Sequence, residues 1–192
     1  MRKLTHDEIS KNRSSLDKIH TVKKLPVIVL LNSIRSSYNV GSIFRTSDGA
    51  MIEKLILCGY TPHPPIDSEN TGNKDVLKTA LGSTQSVSWQ YIKNPVEAIY
   101  EIKAQGIKTC ALELTENSKP YNTITNNDFP ICLVVGNEIT GVSQEVLDLC
   151  DHSIEIPQYG IKQSLNVAVA YGIAIFELRK IFDLNLESTL QQ

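Results

Sequence analysis

Two runs of five residues, Val27-Ile28-Val29-Leu30-Leu31 and Ile131-Cys132-Leu133-Val134-Val135, are apolar at every position. A strand with one wet face alternates apolar and polar residues, so a run with no polar face must be covered on both sides. That is the condition of a central strand in a parallel sheet with helices above and below it. Further strand-like segments fall at 54–58, 87–92, 107–112 and 153–156, with helical periods between them. The expected fold is α/β: a three-layer domain around a mainly parallel six-stranded sheet.

The helices announce themselves mostly by their ends. Thr5-His6-Asp7-Glu8 has the form of a capping box and opens an expected surface helix over 6–20, with Ile9, Leu16 and Ile19 as its apolar stripe. Val40, Ile43, Phe44 and Ser47 give a helix starting near Asn39, and a short one is expected over 75–81. Asn94-Pro95 opens another that Gly106 closes at about Ala104. Ser143 is expected to cap a short helix reaching about Leu149, and Ser164 a long one reaching about Phe182. The first half of this last helix is apolar nearly all round, which requires either an internal position or a partner subunit, and a homodimer through this C-terminal helix is expected. Residues 1–24 are read as a helical extension, 25–182 as the domain and 183–192 as a polar tail.

Several function classes are disfavoured. No apolar run approaches the roughly 18 residues a membrane span needs, and the N-terminal twenty residues lack the apolar centre of a signal peptide. A cytoplasmic location is expected. Cys58, Cys110, Cys132 and Cys150 form no C-x-x-C pair and the four histidines no ligand spacing, so no metal is expected. Neither G-x-G-x-x-G, nor a P-loop, nor G-x-S-x-G follows a strand. A net charge of −2 rules out nucleic-acid binding by bulk electrostatics. The distribution is uneven, however: residues 1–24 carry seven Lys or Arg against three Asp or Glu.

Composition of a different kind marks two loops, Val134 to Gly141 and Ile156 to Ala170. Both follow a buried strand and carry glycines, uncharged polar side chains and one acid, Glu138. Gly136, Gly141 and Gly160 permit close approach of a ligand to the backbone, Pro157 stiffens the strand exit, and Ser164 to Asn166 lie at an expected helix start with its free N–H groups. The proline-bearing loop from Gly59 to Asn73 is expected to lie over a site.

Three segments then carry a resemblance. Asn39-x-Gly41-x-x-x-Arg45-Thr46, Val135-Gly136-x-Glu138-x-x-Gly141 and Ile156-Pro157-x-x-Gly160-x-x-x-Ser164-Leu165-Asn166-Val167 resemble, in order and spacing, the three motifs of the TrmH (SpoU) group of SPOUT RNA methyltransferases. The resemblance spans about residue 27 to 180. It implies a deep trefoil knot in the C-terminal third, a homodimer whose active site draws on both subunits, and S-adenosyl-L-methionine as cofactor, with S-adenosyl-L-homocysteine as product. The implied reaction is methyl transfer to a ribose 2′-hydroxyl of tRNA or rRNA. Cofactor contacts would fall on Gly136, Ile156 and Leu165, with Leu114 closing the adenine pocket.

Carried over by motif position, Arg45 matches the family's catalytic arginine, Asn39 its motif-one asparagine, Glu138 its motif-two acid, and Ser164 and Asn166 its motif-three polar pair. Arg45 would either accept the ribose proton or clamp an RNA phosphate that takes it. RNA contacts are expected from Arg35, Arg13, Lys23 and Lys24, from the 59–73 loop and from the partner subunit, since the chain starts too close to its first core strand for a separate RNA-binding domain. Gln158 departs from the pattern, which commonly has Met after Ile-Pro. Two other readings compete with this one: a non-catalytic RNA-binding or assembly protein of the same fold, and a SPOUT enzyme acting on a base nitrogen. The five polar motif residues together disfavour the first, and the arginine in motif one the second.

Overall fold

The computed structural model describes the chain except for residues 12, 14, 17, 67–71 and 191–192. Its elements run α1 (His6–Lys11), β1 (Leu25–Asn32), α2 (Ser37–Ala50), β2 (Ile52–Cys58), α3 (Lys74–Ala80), α4 (Ser83–Ser86), β3 (Trp89–Ile92), α5 (Pro95–Ala104), β4 (Lys108–Leu112), β5 (Lys119–Pro120), β6 (Ile131–Val135), α6 (Gln144–Leu147), β7 (His152–Glu155) and α7 (Val167–Leu190). The strands form one sheet in the order β3-β2-β1-β6-β4-β7-β5, and every strand pairing is parallel. Seven strands stand among the described residues where six were expected. The extra one, β5, is two residues long and pairs with β7 through Lys119 and Pro120. A strand that short leaves no period to read in a polar stretch.

The doubly apolar runs do what their composition requires. On β1 and β6, Val27, Val29, Leu31, Ile131, Leu133 and Val135 face a core shared with α2, α3 and α7. Their neighbours Ile28, Leu30, Cys132 and Val134 face a second core built on α5 and α6. This period of two across a doubly covered sheet makes three layers. Each such Val, Leu or Ile taken from water contributes about 1.5–3 kcal/mol before entropy is charged against it. On the first face α7 crosses α2, where the buried Ser47 Oγ and Tyr171 hydroxyl share a hydrogen bond of 2.7 Å.

Five helix ends, on four helices, differ from expectation. The leading helix stops at Lys11, not near 20, although its capping box is present, with Thr5 N–H donating to Glu8 Oε2 at 2.8 Å and Glu8 N–H to Thr5 Oγ1 at 3.4 Å. Ile9 and Leu16 are exposed, so no burial supports a longer helix, and short unsupported helices are marginal in water; residues 12, 14 and 17 of the expected span lie outside the described residues. The helix expected near Asn39 starts at Ser37, because Ser36 rather than Asn39 supplies the cap, its Oγ accepting from Asn39 N–H. Ser143 caps α6 with no side-chain bond, and the helix ends at Leu147. The final helix begins at Val167, capped by Asn166 Oδ1 accepting from Ala168 N–H at 2.9 Å, so Ser164 lies before it. It also runs on to Leu190, because Leu178 and Phe182 remain buried and Arg179 pairs with Asp183 one turn on.

Candidate functional site

Four loops leave the C-terminal ends of β1, β6, β4 and β7, which are neighbours in the sheet. Chain order reverses across them, and in an open parallel sheet the crevice at such a reversal is where ligands bind. Here it opens into a cavity of about 570 Å³, walled by the loops after β6, β4 and β7. Leu114, Gly136, Ile156 and Leu165 all line it, as do Glu138 and Ser164. The wall is apolar at Leu112, Val135 and Ile139, and its charged residues are Glu113, Glu138, Glu155 and Lys162.

At the mouth, Glu138 ties its own loop to the segment that joins β1 to α2, and Asn39 extends the tie to the loop before α7. Its Oε2 accepts from Arg35 N–H at 2.8 Å, and its Oε1 from Ser36 N–H at 3.0 Å and from Asn39 Nδ2 at 2.7 Å. Asn39 Oδ1 in turn accepts from Asn166 Nδ2 at 3.1 Å, while Asn166 Oδ1 caps α7. Partial burial works to raise the Glu138 carboxyl, yet the hydrogen bonds from Arg35, Asn39 and Ser36 outweigh it and hold the group below the ordinary carboxylate range. A fixed anion with both oxygens occupied orients its neighbours rather than taking up a proton.

The glycines work differently from one another. Gly136 does not present open backbone to a ligand on all sides: a Cβ there would overlap Gly141 and Val142, because the loop folds back as a small hairpin closed by Asn137 and Gly141. Gly141 has φ +69, and a Cβ there would run into the Glu113 carboxylate. Gly160 has neither a positive φ nor a neighbour within 4 Å. Gly41, in the first motif, is where α2 touches α3, since a Cβ would overlap Thr79 and Val76 O. Gln158 folds back within its own loop, donating from Nε2 to Ile156 O at 2.9 Å.

The motif residues are not all brought together. Arg45 stands exposed on α2, six residues or about 9 Å along the axis from Asn39, with no hydrogen-bond or ion-pair partner among the described residues. Ser164 is exposed on the cavity wall and makes no hydrogen bond to Asn39, Glu138 or Asn166. Arg35 is exposed beside the mouth, and Arg13 is exposed near the N-terminus. Lys23 and Lys24 precede β1, at the far end of a strand roughly 25 Å long from the site. Lys23 Nζ lies 5.3 Å from the Phe182 ring centroid, and Lys24 Nζ bonds Ser88 Oγ at 3.3 Å.

Sequence reasoning passed over the residues that hold these loops in place. Asn137 is 6% exposed; its Nδ2 donates to Ser33 O and Tyr60 Oη, each at 2.8 Å, and its Oδ1 accepts from Ile139 and Thr140 N–H. Glu113 accepts from Leu114 and Val142 N–H, and the buried Asn32 from Ser143 N–H. A polar residue ending an otherwise apolar strand, as Asn32 does, was the available signal.

Comparison with known proteins agrees with this geometry. The SpoU rRNA Methylase family matches residues 26–176. A tRNA (guanosine(18)-2′-O)-methyltransferase from Aquifex aeolicus is 31% identical over 174 residues, which are 90% of this chain and 77% of the relative. The crystal structure of the A. aeolicus TrmH/SpoU tRNA modifying enzyme superposes with a TM-score of 0.73 at 29% identity, over 88% of this chain and 83% of that one. An AdoMet-bound rRNA methyltransferase from Sinorhizobium meliloti gives 0.70 at 30% identity, over 82% of this chain but only 60% of that longer one. With a parallel sheet, a crevice at its switch point and three motifs meeting there, the chain belongs to the SpoU rRNA methylase family.

Proposed function

We propose that this protein transfers the methyl group of S-adenosyl-L-methionine to a ribose 2′-hydroxyl of tRNA or rRNA. The observation that carries the reading is the hydrogen-bonded line Glu138–Asn39–Asn166, which joins one residue from each of the three motifs at the mouth of the cavity. The cavity fits the cofactor. Its volume of about 570 Å³ lies within the range of small-molecule sites. Leu112, Leu114, Ile156 and Leu165 offer apolar walls to an adenine, and three carboxylates against one lysine favour a cationic ligand.

When bound, S-adenosylmethionine supplies an electrophilic methyl on a sulfonium. The protein's part is to place an oxygen in line with it and to accommodate the proton that oxygen loses. Asn39 and Asn166, locked by Glu138 on one side and the α7 cap on the other, are placed to position the ribose. Arg45 is exposed within the protomer and its planar fork has no partner among the described residues, which supports a phosphate clamp over a proton acceptor.

The same reading includes a homodimer. Val169, Ile173 and Phe176 are 51%, 36% and 49% exposed and follow one another on the outward face of α7. A Cβ on Gly49 of α2 would lie 3.7 Å from Phe176 Cζ, and Arg45 is one turn before Gly49. A second copy seated on this face would bring its own groups to Arg45, consistent with a site shared between subunits. No helix among the described residues is long and apolar enough to cross a membrane. The four free cysteines support a reducing, cytoplasmic setting.

Mapping ribose methylation in cellular tRNA and rRNA with and without the gene tests the reaction. Loss of a 2′-O-methyl at a defined nucleotide, restored by the wild-type gene and not by Arg45→Ala, is expected. An unchanged methylation map would refute it.

A further inference from the structure

Tyr60 is oriented against the usual habit of a surface tyrosine. Such residues bury the ring and leave the hydroxyl in water. Tyr60 is 62% exposed, yet its hydroxyl points inward and accepts from Asn137 Nδ2 at 2.8 Å. With the polar tip engaged inside, what the residue offers to solvent is its ring.

The turn that carries it is rigid. Gly59 has φ +64, and its carbonyl accepts from the Tyr91 hydroxyl at 2.6 Å. Thr61, 2% exposed, reaches the Leu31 and Cys58 carbonyls at 3.1 and 2.6 Å and accepts from Ile34 N–H at 3.0 Å. Tyr60 is therefore held on both sides and through its own hydroxyl, so a ligand stacking on it would find the ring already ordered.

Its position selects the ligand. Asn137, which anchors it, precedes Glu138 and also donates to Ser33 O, at the start of the loop whose Arg35 and Ser36 N–H groups hold Glu138. Tyr60 is not among the residues lining the cofactor cavity. It stands outside that cavity and beside the loop of exposed Arg35. We infer that Tyr60 is a stacking platform for a nucleobase of the substrate RNA adjoining the ribose to be methylated, an assignment that rests on the proposed reaction. A flat apolar face suits any base, because every base has a π-face; the ring would fix distance and orientation rather than sequence.

The test compares wild type, Tyr60→Phe and Tyr60→Leu on RNA from cells lacking the gene, reading KM for RNA, Kd for S-adenosylmethionine and sedimentation. The leucine variant is expected to raise KM about tenfold or more, with cofactor affinity and association state unchanged. The phenylalanine variant, which keeps the ring, should stay within about threefold of wild type. A leucine variant with KM within twofold of wild type would overturn the inference. So would parallel loss of cofactor affinity, or a change in association state that made the ring a subunit contact. Filter retention of the same RNA separates this from the reaction itself. Wild type that retains RNA without methylating it refutes the reaction, while weaker retention by the leucine variant still upholds the platform; wild type that retains no RNA overturns both.

Discussion

Glu138 fixes the mouth of the site through one carboxylate. Three donors converge on one carboxylate from the β1 loop and the first turn of α2. Gln at this position would turn an amide N–H toward an N–H donor, leaving at least one of them unpaired. Hydrogen bonds to charged groups contribute about 1.5–3 kcal/mol, so Glu138→Gln should lower kcat by roughly ten- to a hundredfold. Cofactor affinity should fall by a smaller factor, since Glu138 is one of three carboxylates on the cavity wall, whereas Asn39 and Asn166 lie away from it. Steady-state kinetics beside calorimetric titration of the cofactor would check this split. The carboxylate was visible in the sequence because an acid between two glycines is conspicuous. Asn137 beside it was not: two of its four hydrogen bonds reach Ser33 and Tyr60, over 70 residues away in the chain, and its two local ones, from Ile139 and Thr140 N–H, are those of any turn asparagine.

Among the elements, α2 and α7 decide how the site is presented. Gly41 lets α2 lie against α3, and Gly41→Ala should cost about 1–3 kcal/mol by overpacking, measured as a lower denaturant midpoint with an unchanged slope. On α7 the outward stripe predicts association: Ile173→Glu should yield monomers by analytical ultracentrifugation and, if Arg45 serves a site completed by the second copy, turnover should fall with dimer content. The strands and the Asn94-Pro95 helix were readable because their signals are local: unbroken apolar runs, a cap, a proline, a closing glycine. Helix starts were misplaced where two cap-competent residues stand close together. Ser36 takes the role given to Asn39, whose side chain is drawn into the line that ends on Glu138, and Asn166 takes the role given to Ser164, its Oδ1 capping the helix while its Nδ2 reaches Asn39. The leading helix fell short for the opposite reason, a good cap with nothing to bury against.

For the whole molecule, pH should act through two opposite sets of groups. Glu138 and Asp151 are both held below the ordinary carboxylate range against the opposing effect of burial, Glu138 by the bonds just described and Asp151 by Lys103 and Thr109. A depressed folded value means their contribution is complete above the ordinary carboxylate value and is lost as pH falls below it. Burial does the reverse to the thiols, raising Cys150 from an ordinary 9.0 to about 11 and Cys58 to about 12, with Cys132 and Cys110 pushed up as well. Their contribution is complete below about pH 9 and is lost as pH rises toward the folded values. Burial also lowers His152, so stability falls as pH drops below the ordinary histidine value, and denaturant midpoints should be flat only from about pH 7 to 8 and fall on both sides. Cys132→Ala should shallow the alkaline limb, and an unchanged limb would contradict the assignment.

If the loops at the C-terminal ends of β1, β6 and β7 make a ribose methylation site, the transferred methyl must end on a ribose oxygen. Purified protein, isotopically labelled S-adenosylmethionine and RNA from cells lacking the gene would be combined, and the RNA digested to nucleosides for mass spectrometry. The account predicts label on the ribose of one nucleotide, abolished or strongly reduced by Asn39→Ala and Arg45→Ala. Label on a base, or none with RNA and cofactor both bound, would contradict it.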